Sequence, residues 1–282
     1  MKLKIFLSVI ALIFSSSILI AQKAEKIKGS KIVTSSIKEV KPFNTIEVED
    51  NIEIYLEKGE KSEIKIEADD NLHDVINLEV QDQILIISTK KEVQSFKKFT
   101  LKVTYTDDLN LVITKDESIV NAIQQVVLEN ITFKALHKSK LFLNINANNF
   151  SLLADDKSKV ELNLKGENCF VELSKNTSLK ALVNSVDFKC DLYQKAAAII
   201  EGDADKSILR IDNSAELKAT NFNSKNADIT IEGSGSCSIL IENNCSIEAA
   251  DKSEISLYGN PTIEIRKFTG ESKLFKKNLP RK

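Results

Sequence analysis

The chain has 282 residues, of which 42% are hydrophobic and 28% are charged, a composition typical of a folded protein and not of a disordered one. Its 41 acidic residues outnumber its 39 basic ones, which excludes the basic footprint of a nucleic-acid-binding protein. Tryptophan is absent and aromatic residues make up only 6%, which argues against an aromatic-lined groove for sugars or nucleobases.

Residues 1–21 have the pattern of a secretory signal peptide. Lys2 and Lys4 form its charged start, an apolar run follows, and Ala21 suits the position before the cleavage site. The apolar run is short for a membrane span, and no comparable run comes after it. We therefore expect export to the periplasm, the outer surface or the medium, with no membrane span in the mature chain.

The segment after the signal peptide divides into a polar stretch and a series of short strands. Residues 22–41 are polar, and we expect a flexible lead-in there. From Phe43 onward, apolar residues alternate with polar ones over short runs such as Ile52-Ile54-Leu56, which predicts half-buried strands. These strands are less regular than the chain beyond Ser118, so we expect them to form the opening coils and a cap.

A structural repeat runs from Ser118 to Leu274. An apolar anchor returns every 18 to 21 residues. The anchors are Val120, Leu141, Val160, Leu179, Ile199, Leu217, Cys237, Ile255 and Leu274. A small residue lies two positions before each anchor and predicts a tight corner in every unit: Ser139, Ser158, Thr177, Ala197, Ala215, Gly235 and Ser253, with Ser118 and Ser272 at the ends.

Each unit carries two apolar triplets with the alternation of a β-strand, such as Leu141-Leu143-Ile145 and Phe150-Leu152-Ala154. A unit this small cannot bury its apolar face alone, so the units must stack into one continuous core. The unit is too short for a propeller blade, and its constant spacing does not suit a hairpin sandwich. We predict an all-β fold, a single-stranded parallel β-helix or β-solenoid with coils of about 19 residues. It forms one domain over residues 42–277, followed by a basic tail at 278–282.

The four cysteines are predicted to be buried and unpaired. An even number of cysteines in an exported protein suggests disulfides. However, Cys169, Cys190, Cys237 and Cys245 all fall at apolar positions of the repeat, and Cys169 and Cys245 share a column four coils, or about 19 Å, apart. That separation is far beyond the reach of a disulfide. No C-x-x-C pair is present, so a zinc site is not expected.

Few residues suggest chemistry. His73 and His137 lie in different segments, and no catalytic or phosphate-binding motif occurs. The least regular coil places Glu201 at an apolar position, and we interpret it as a bulge that turns Ile200 and Gly202 inward. Because bulges often lie near sites, Glu201, Asp203 and Asp205 are the candidate binding residues. No catalytic residue, metal or cofactor is expected.

Two stretches carry a resemblance to a known family. The opening Phe43-Asn44-Thr45-Ile46-Glu47-Val48 and the closing motif Tyr258, Gly259, Asn260 and Pro261, continued through Ile263-Glu264-Ile265, resemble the putative auto-transporter adhesin "head GIN" domain family. The resemblance implies an exported, β-helical protein of a Gram-negative bacterium, with an adhesin role and no established catalytic residues. The family's Ser-Gly corners are kept here only at Gly233-Ser234-Gly235-Ser236.

Together these patterns indicate an exported, non-enzymatic binding or scaffold protein. Its partner is unknown: a glycan, an envelope protein or a cell surface would each fit, and nucleic acid would not. Two alternatives stay open, a carbohydrate-active β-helix enzyme and a purely structural spacer of the envelope. The enzyme would require acidic and basic side chains that converge on one face of adjacent coils.

Overall fold

The computed structural model describes residues 25–278. The predicted signal peptide at 1–21 and residues 279–282 of the predicted basic tail lie outside the described residues. The described chain is nearly all β-strand, with one 3-10 turn at Asp70–Leu72. Its strands stack in parallel as coils of about 19 residues and form a solenoid of about nine turns, which confirms the predicted fold class.

Seven long strands form the regular part of the solenoid. Each pairs in parallel with the next, so that Leu141 lies opposite Val160 and Val160 opposite Leu179. Along the second of them, Lys140–Ala154, burial alternates and shifts phase once, at Asn148 and Asn149, which marks a corner between a first and a second face. The strands are β11 (Ile119–Ala135), β12 (Lys140–Ala154), β13 (Lys159–Leu173), β14 (Ser178–Leu192), β15 (Ala197–Ile211), β16 (Glu216–Ile231) and β17 (Ser236–Ala249).

Successive coils are joined by turns that contain a left-handed residue. Backbone hydrogen bonds also link one turn to the next, as from the N–H of Lys157 to the carbonyl oxygen of His137 at 2.7 Å. The ladder of backbone hydrogen bonds thus continues through the corner, where polar groups would otherwise stay unpaired. The left-handed residues have φ from 56° to 73° and form one column: Asp116, His137, Asp156, Lys175, Gln194, Asn213, Gly233, Asp251 and Gly270.

A small residue closes these turns, as the corner column predicted. Ser139, Ser158, Thr177 and Ser253 are fully or almost fully buried, and Ala215 is buried beside them. The hydroxyl of Thr177 donates to the carbonyl oxygen of Ser174 at 2.7 Å, which satisfies it inside the turn. A bulky side chain at this position would collide with the turns stacked on either side.

In β15 the predicted register is wrong by one residue. Ala196, and not Ala197, is the buried corner residue, and its N–H donates to the carbonyl oxygen of Tyr193 at 3.1 Å. The anchor paired with Leu179 is Ala198, whereas the predicted anchor Ile199 points outward and is exposed. Five consecutive apolar residues, 196–200, carry no alternation from which the phase could be determined.

The core consists of apolar columns that run from coil to coil. All four cysteines are buried and free, as predicted. Burial raises the pKa of the Cys169, Cys237 and Cys245 thiols to about 12, and also raises that of Cys190, so all four stay protonated and unreactive.

In the irregular coil, which contains β15, small residues stand between two large core residues of the neighbouring coils. The rings of Phe188 and Phe222 meet with their centroids 5.5 Å apart, although they belong to β14 and β16. Between them β15 contributes Ser207, paired with Phe188, and Gly202, paired with Phe222. The small residues of β15 therefore make room for two aromatic rings from the coils on either side.

The N-terminal strands form two coils and a cap. β3 and β4 pair in parallel with β10 and β11, and β7 and β9 pair in parallel with β3 and β4. Antiparallel strands then end the stack: β5 beside β9, β2 beside β5, and β6 beside β7. The strands are β1 (Lys26–Lys28), β2 (Val33–Glu39), β3 (Thr45–Val48), β4 (Glu53–Lys58), β5 (Glu63–Asp69), β6 (Ile76–Gln81), β7 (Ile84–Thr89), β8 (Glu92–Gln94), β9 (Phe99–Tyr105) and β10 (Leu111–Thr114).

The predicted flexible lead-in over 22–41 is wrong for the residues that the structure describes, because β1 and β2 lie there. The buried carboxylate of Asp69 holds this segment in place. It accepts backbone hydrogen bonds from Lys31 at 2.8 Å, Lys98 at 3.0 Å and Lys97 at 3.1 Å. Burial alone would raise the pKa of Asp69, but these donors outweigh it and lower the pKa below its usual value.

The C-terminal end is formed by three shorter strands: β18 (Glu254–Tyr258), β19 (Thr262–Phe268) and β20 (Lys273–Lys276). β19 pairs with β17, and β20 pairs with β18. In the described chain β19 pairs only with β17 and β20 only with β18, so no described strand covers them from the other side, and all of β19 is exposed. The core therefore reaches the surface at this end.

Candidate functional site

A groove on the first face gathers outward-pointing apolar side chains. It has a volume of about 520 Å³ and crosses the strands from β11 to β15, about 19 Å at the usual strand spacing. We call it the flank groove. Its apolar walls come from Ile123, Phe142, Leu182 and Ile199, and its polar side chains are Asn144, Glu161, Asn163, Lys180 and Glu201.

The strand register explains why these side chains meet. Phe142, Glu161, Lys180 and Ile199 occupy one outward row, because each is paired with the next across β12 to β15. Asn144, Asn163, Leu182 and Glu201 form the neighbouring row. Parallel in-register stacking thus brings together residues that are 19 positions apart in the sequence.

Irregularities in register bound the groove at both ends. The β11–β12 pairing shifts between Ala122 and Val126, and the β15–β16 pairing shifts between Ile199 and Glu201. Between them the pairing of β12 to β15 continues without a shift. Bulges re-aim side chains and often lie beside binding sites. At the β11 end, Ile123 is 68% exposed, a high value for an isoleucine.

Amide hydrogen bonds fix the polar side chains of the groove. Asn163 donates to the side-chain oxygen of Asn144 at 3.3 Å, and Asn144 donates to the carbonyl oxygen of Ile123 at 3.4 Å. Asn221 donates to the Glu201 carboxylate at 3.3 Å. These contacts hold amide and carboxylate groups between the apolar side chains, so the groove can contact both apolar and hydrogen-bonding parts of a partner.

The three candidate residues from the sequence separate in the structure. Glu201 points outward into the flank groove, while Ile200 is buried, which agrees with the inward turn predicted for Ile200. Asp203 and Asp205 are exposed but do not line the groove. Asp205 forms an ion pair with Lys225 at 2.6 Å, and this hydrogen bond raises the pKa of Lys225. Only Glu201 of the three therefore belongs to the candidate site.

Gly202 explains why the coil beside Glu201 is irregular. Its φ of 109° lies in the region that favours glycine, and a Cβ there would collide with the backbone carbonyl oxygen of Val183. Gly259 of the predicted end motif is similar, with a φ of 87° and the carbonyl oxygen of Ile241 against it. Tyr258 ends β18, and Asn260 and Pro261 lead into β19, so this motif forms the corner before the last coil.

A ladder of asparagines at the other corner was missed by the sequence analysis. Asn149 donates to Asn130 at 2.7 Å, Asn168 donates to Asn149 at 3.0 Å, and Asn244 donates to Asn226 at 2.8 Å. Asp187 and Lys206 occupy the two intervening places. The signal was present as asparagine at a spacing of 19 residues before the second triplet. These amides mainly bond one another, so we assign them to the scaffold.

The two histidines contact neighbouring side chains away from the groove. His137 lies 3.0 Å from Asp116 in the left-handed column, and His73 is within hydrogen-bond distance of Thr34 and Ser36. Within residues 25–278, no group of three or more His, Cys, Asp or Glu side chains is placed to hold a metal ion.

None of the helical structure in residues 25–278 is long and apolar enough to cross a membrane.

Three solved structures share the fold. A putative adhesin from Parabacteroides distasonis has a TM-score of 0.68 at 18% identity, covering 89% of this chain and 100% of that one. A putative adhesin from Parabacteroides merdae gives 0.62 at 19% identity, covering 90% and 100%. A protein from P. distasonis described as a putative lipid binding protein gives 0.60 at 16% identity, covering 89% and 100%.

Comparison with the curated proteins gives no match. The model of the family described as putative auto-transporter adhesin, head GIN domain, matches residues 42–261. This match spans the strands from β3 to β18, including the flank groove. The chain therefore belongs to the putative auto-transporter adhesin, head GIN domain, family.

Proposed function

We propose that this protein is a non-enzymatic, adhesin-like binding protein that uses the flank groove to hold a protein of the envelope or of a cell surface. The observation that carries the proposal is the gathering of exposed Ile123, Leu182 and Ile199 in one groove of a rigid sheet. Grouped apolar side chains surrounded by polar ones are typical of a protein interface.

The chemistry of the groove favours a protein over a glycan. Its apolar surface is aliphatic except for Phe142, whereas sugar sites usually stack the ring on aromatic side chains. Asn144, Asn163 and Glu201 supply hydrogen-bonding groups among the apolar ones. This mixture fits an extended segment that inserts apolar side chains and pairs its backbone amides.

The sequence and the family support the location that we propose. Residues 1–21 have the features of a signal peptide, and the family is named for adhesins. We propose export with removal of these residues, to the periplasm, the outer surface or the medium. Cell fractionation tests this point, and recovery from the cytosol alone would reject it.

The binding proposal is tested with envelope extracts and two matched double variants. The variant Ile123→Ser/Leu182→Ser removes two exposed groove side chains, and Val127→Ser/Val186→Ser removes two exposed side chains of the same strands outside the groove. Immobilised chains from residue 22 onward capture partners, which are quantified by mass spectrometry. We expect the groove variant to lose a captured protein about tenfold or more, and the control to retain it. Equal capture by both variants would reject the groove as the site.

One observation keeps the carbohydrate-active enzyme as a second candidate. Glu161 and Glu201 line the same groove on strands two apart and in neighbouring rows, which places their backbone positions about 12 Å apart at the usual strand spacing and rise. Two carboxylates beside a groove are the minimum for glycoside hydrolysis. Polysaccharide cleavage that is lost in both Glu161→Gln and Glu201→Gln would favour the enzyme, and absence of cleavage across a broad panel would remove it.

A further inference from the structure

The C-terminal end of the solenoid exposes the apolar columns of the core. Ile265 is stacked on Ile247 and is 53% exposed, although Ile247 is fully buried. Ile263 and Phe268 of the same strand are also exposed, and so is Phe275 of β20, at a position that pairs with Ser256. We call β19, β20 and Lys277 the open end. This end lies beyond residue 261, where the match to the family model stops.

The open end is also the basic pole of the chain. Residues 262–282 contain seven basic and two acidic residues, whereas the other 261 residues contain 32 basic and 39 acidic ones. Within residues 25–278, neither Lys267 nor Lys276 has a carboxylate at ion-pair distance, and Lys277 lies 5.0 Å from the centre of the Phe275 ring. Cationic groups therefore surround exposed apolar side chains.

The backbone of the open end is poorly suited to pairing with another strand. The register of β17 and β19 shifts between Ile247 and Glu248, so that Arg266 is an extra, bulged residue. Bulges and lysines on an edge strand are the usual means of preventing strand addition. A second copy that approached with its own open end would also bring two basic surfaces together.

A lipid surface meets none of these obstacles. It needs no strand register, its anionic headgroups attract basic residues, and isoleucine and phenylalanine side chains can enter the apolar layer below. We propose that the open end docks on an anionic lipid surface, with Ile263, Ile265, Phe268 and Phe275 facing the bilayer and Lys267, Lys276 and Lys277 at its headgroups. The acidic body points away from the surface.

The test is vesicle co-sedimentation with the chain from residue 22 onward, which retains every described strand. The probes are vesicles of phosphatidylcholine alone and of phosphatidylcholine and phosphatidylglycerol in equal parts. We expect binding to the anionic vesicles only, weakening as salt is added. The variant Lys267→Gln/Lys276→Gln/Lys277→Gln should bind about tenfold or more weakly, because each basic residue near the surface contributes to the attraction.

Three exposed lysines of the body provide the matched control, Lys140→Gln/Lys157→Gln/Lys159→Gln, which should bind like the unaltered chain. A second variant, Phe268→Ser/Phe275→Ser, should lose the binding that persists at high salt. Unchanged thermal unfolding of all variants shows that they are folded. The proposal is overturned by equal binding of the two lysine variants, by no binding to anionic vesicles, or by light scattering that shows a dimer of the unaltered chain and a monomer of the Phe268→Ser/Phe275→Ser variant. The flank groove plays no part in any of these outcomes.

Discussion

The two ends of the solenoid protect their final strands in different ways. At the N-terminal end, residues 59–110 leave the stack between β4 and β10, add one more coil and cover it with antiparallel strands. At the C-terminal end, the last coil stays uncovered within the described chain, and a bulge and lysines protect its edge. A stack of parallel coils must either cover its final strands or prevent their edges from pairing with another chain. This chain covers one end and protects the other with a bulge and lysines.

The two ends differ in what they contribute: the capped end adds stability, and the open end offers an apolar surface for interaction. The capped end encloses fully buried residues such as Ile66 and Leu72, while the open end leaves their counterparts in contact with solvent. A closed core adds stability but offers no apolar surface to a partner. The open end gives up part of that burial and keeps apolar side chains available.

Deleting an isoleucine side chain at each end should give the largest contrast. Ile66→Ala at the capped end removes a fully buried side chain and should lower the free energy of unfolding by about 2–5 kcal/mol. Ile265→Ala at the open end should cost less than about 1 kcal/mol, because its side chain is half exposed. Urea unfolding of both variants measures the difference. Similar costs at the two ends would mean that the open end is covered in solution.

The corner before the last coil should be sensitive to a single methyl group. Gly259→Ala places a Cβ against the carbonyl oxygen of Ile241 at a left-handed φ, a strain of about 1–3 kcal/mol. Because coils contact only their neighbours, the damage should stay in β18 to β20. Limited proteolysis should cut the variant after residue 258 and spare the cap. Gly235→Ala, at the corner position that Ala215 occupies in the neighbouring coil and where the nearest atom to an added Cβ is a side-chain methyl group of Ile211, should leave the digestion pattern unchanged.

The backbone hydrogen bonds that the Asp69 carboxylate accepts should make the capped end sensitive to acid. Since the folded-state pKa of Asp69 is lowered, its stabilising effect is present above the unfolded-state pKa, about 4, and is lost as pH falls through the folded-state value. The ratio of the amide exchange rate in β2 to that in β13 of the same sample should therefore rise roughly tenfold on acidification. In Asp69→Asn, β2 should exchange fast already at neutral pH and lose this pH dependence. Unchanged amide exchange of β2 in that variant would contradict this role of Asp69.

The repeat made most of the fold predictable, because its 19-residue spacing reports directly which residues stack. The burial of the four cysteines followed from the same spacing. The predicted register of the repeat is wrong by one residue at 196–200, because five consecutive apolar residues leave no alternation there. The prediction of a flexible lead-in is wrong for another reason. β5 and the Asp69 carboxylate hold β2 through its backbone, and a polar composition does not reveal such contacts.

The candidate site was harder to predict than the fold. Glu201 was found because it interrupted an apolar column. Ile123, Leu182 and Ile199 were not recognised as a group, because they lie on three strands far apart in the sequence and Ile199 was assigned to the core as an anchor. They become a groove only when exact register places them side by side. The basic composition of the C-terminal residues was visible in the sequence, but the exposure of Ile265 and Phe268 was not.

The most direct test of the difference between the two ends is amide hydrogen exchange along the whole chain, with and without anionic vesicles. Without vesicles, β5, β9 and β11 to β17 should exchange slowly, and β19 and β20 should exchange fastest among the strands of the coils. With vesicles, protection should appear in β19 and β20 and leave β2 and β5 unchanged. Slow exchange of β19 and β20 in the free protein, or vesicle protection at the capped end instead, would contradict a capped N-terminal end and an open, lipid-docking C-terminal end.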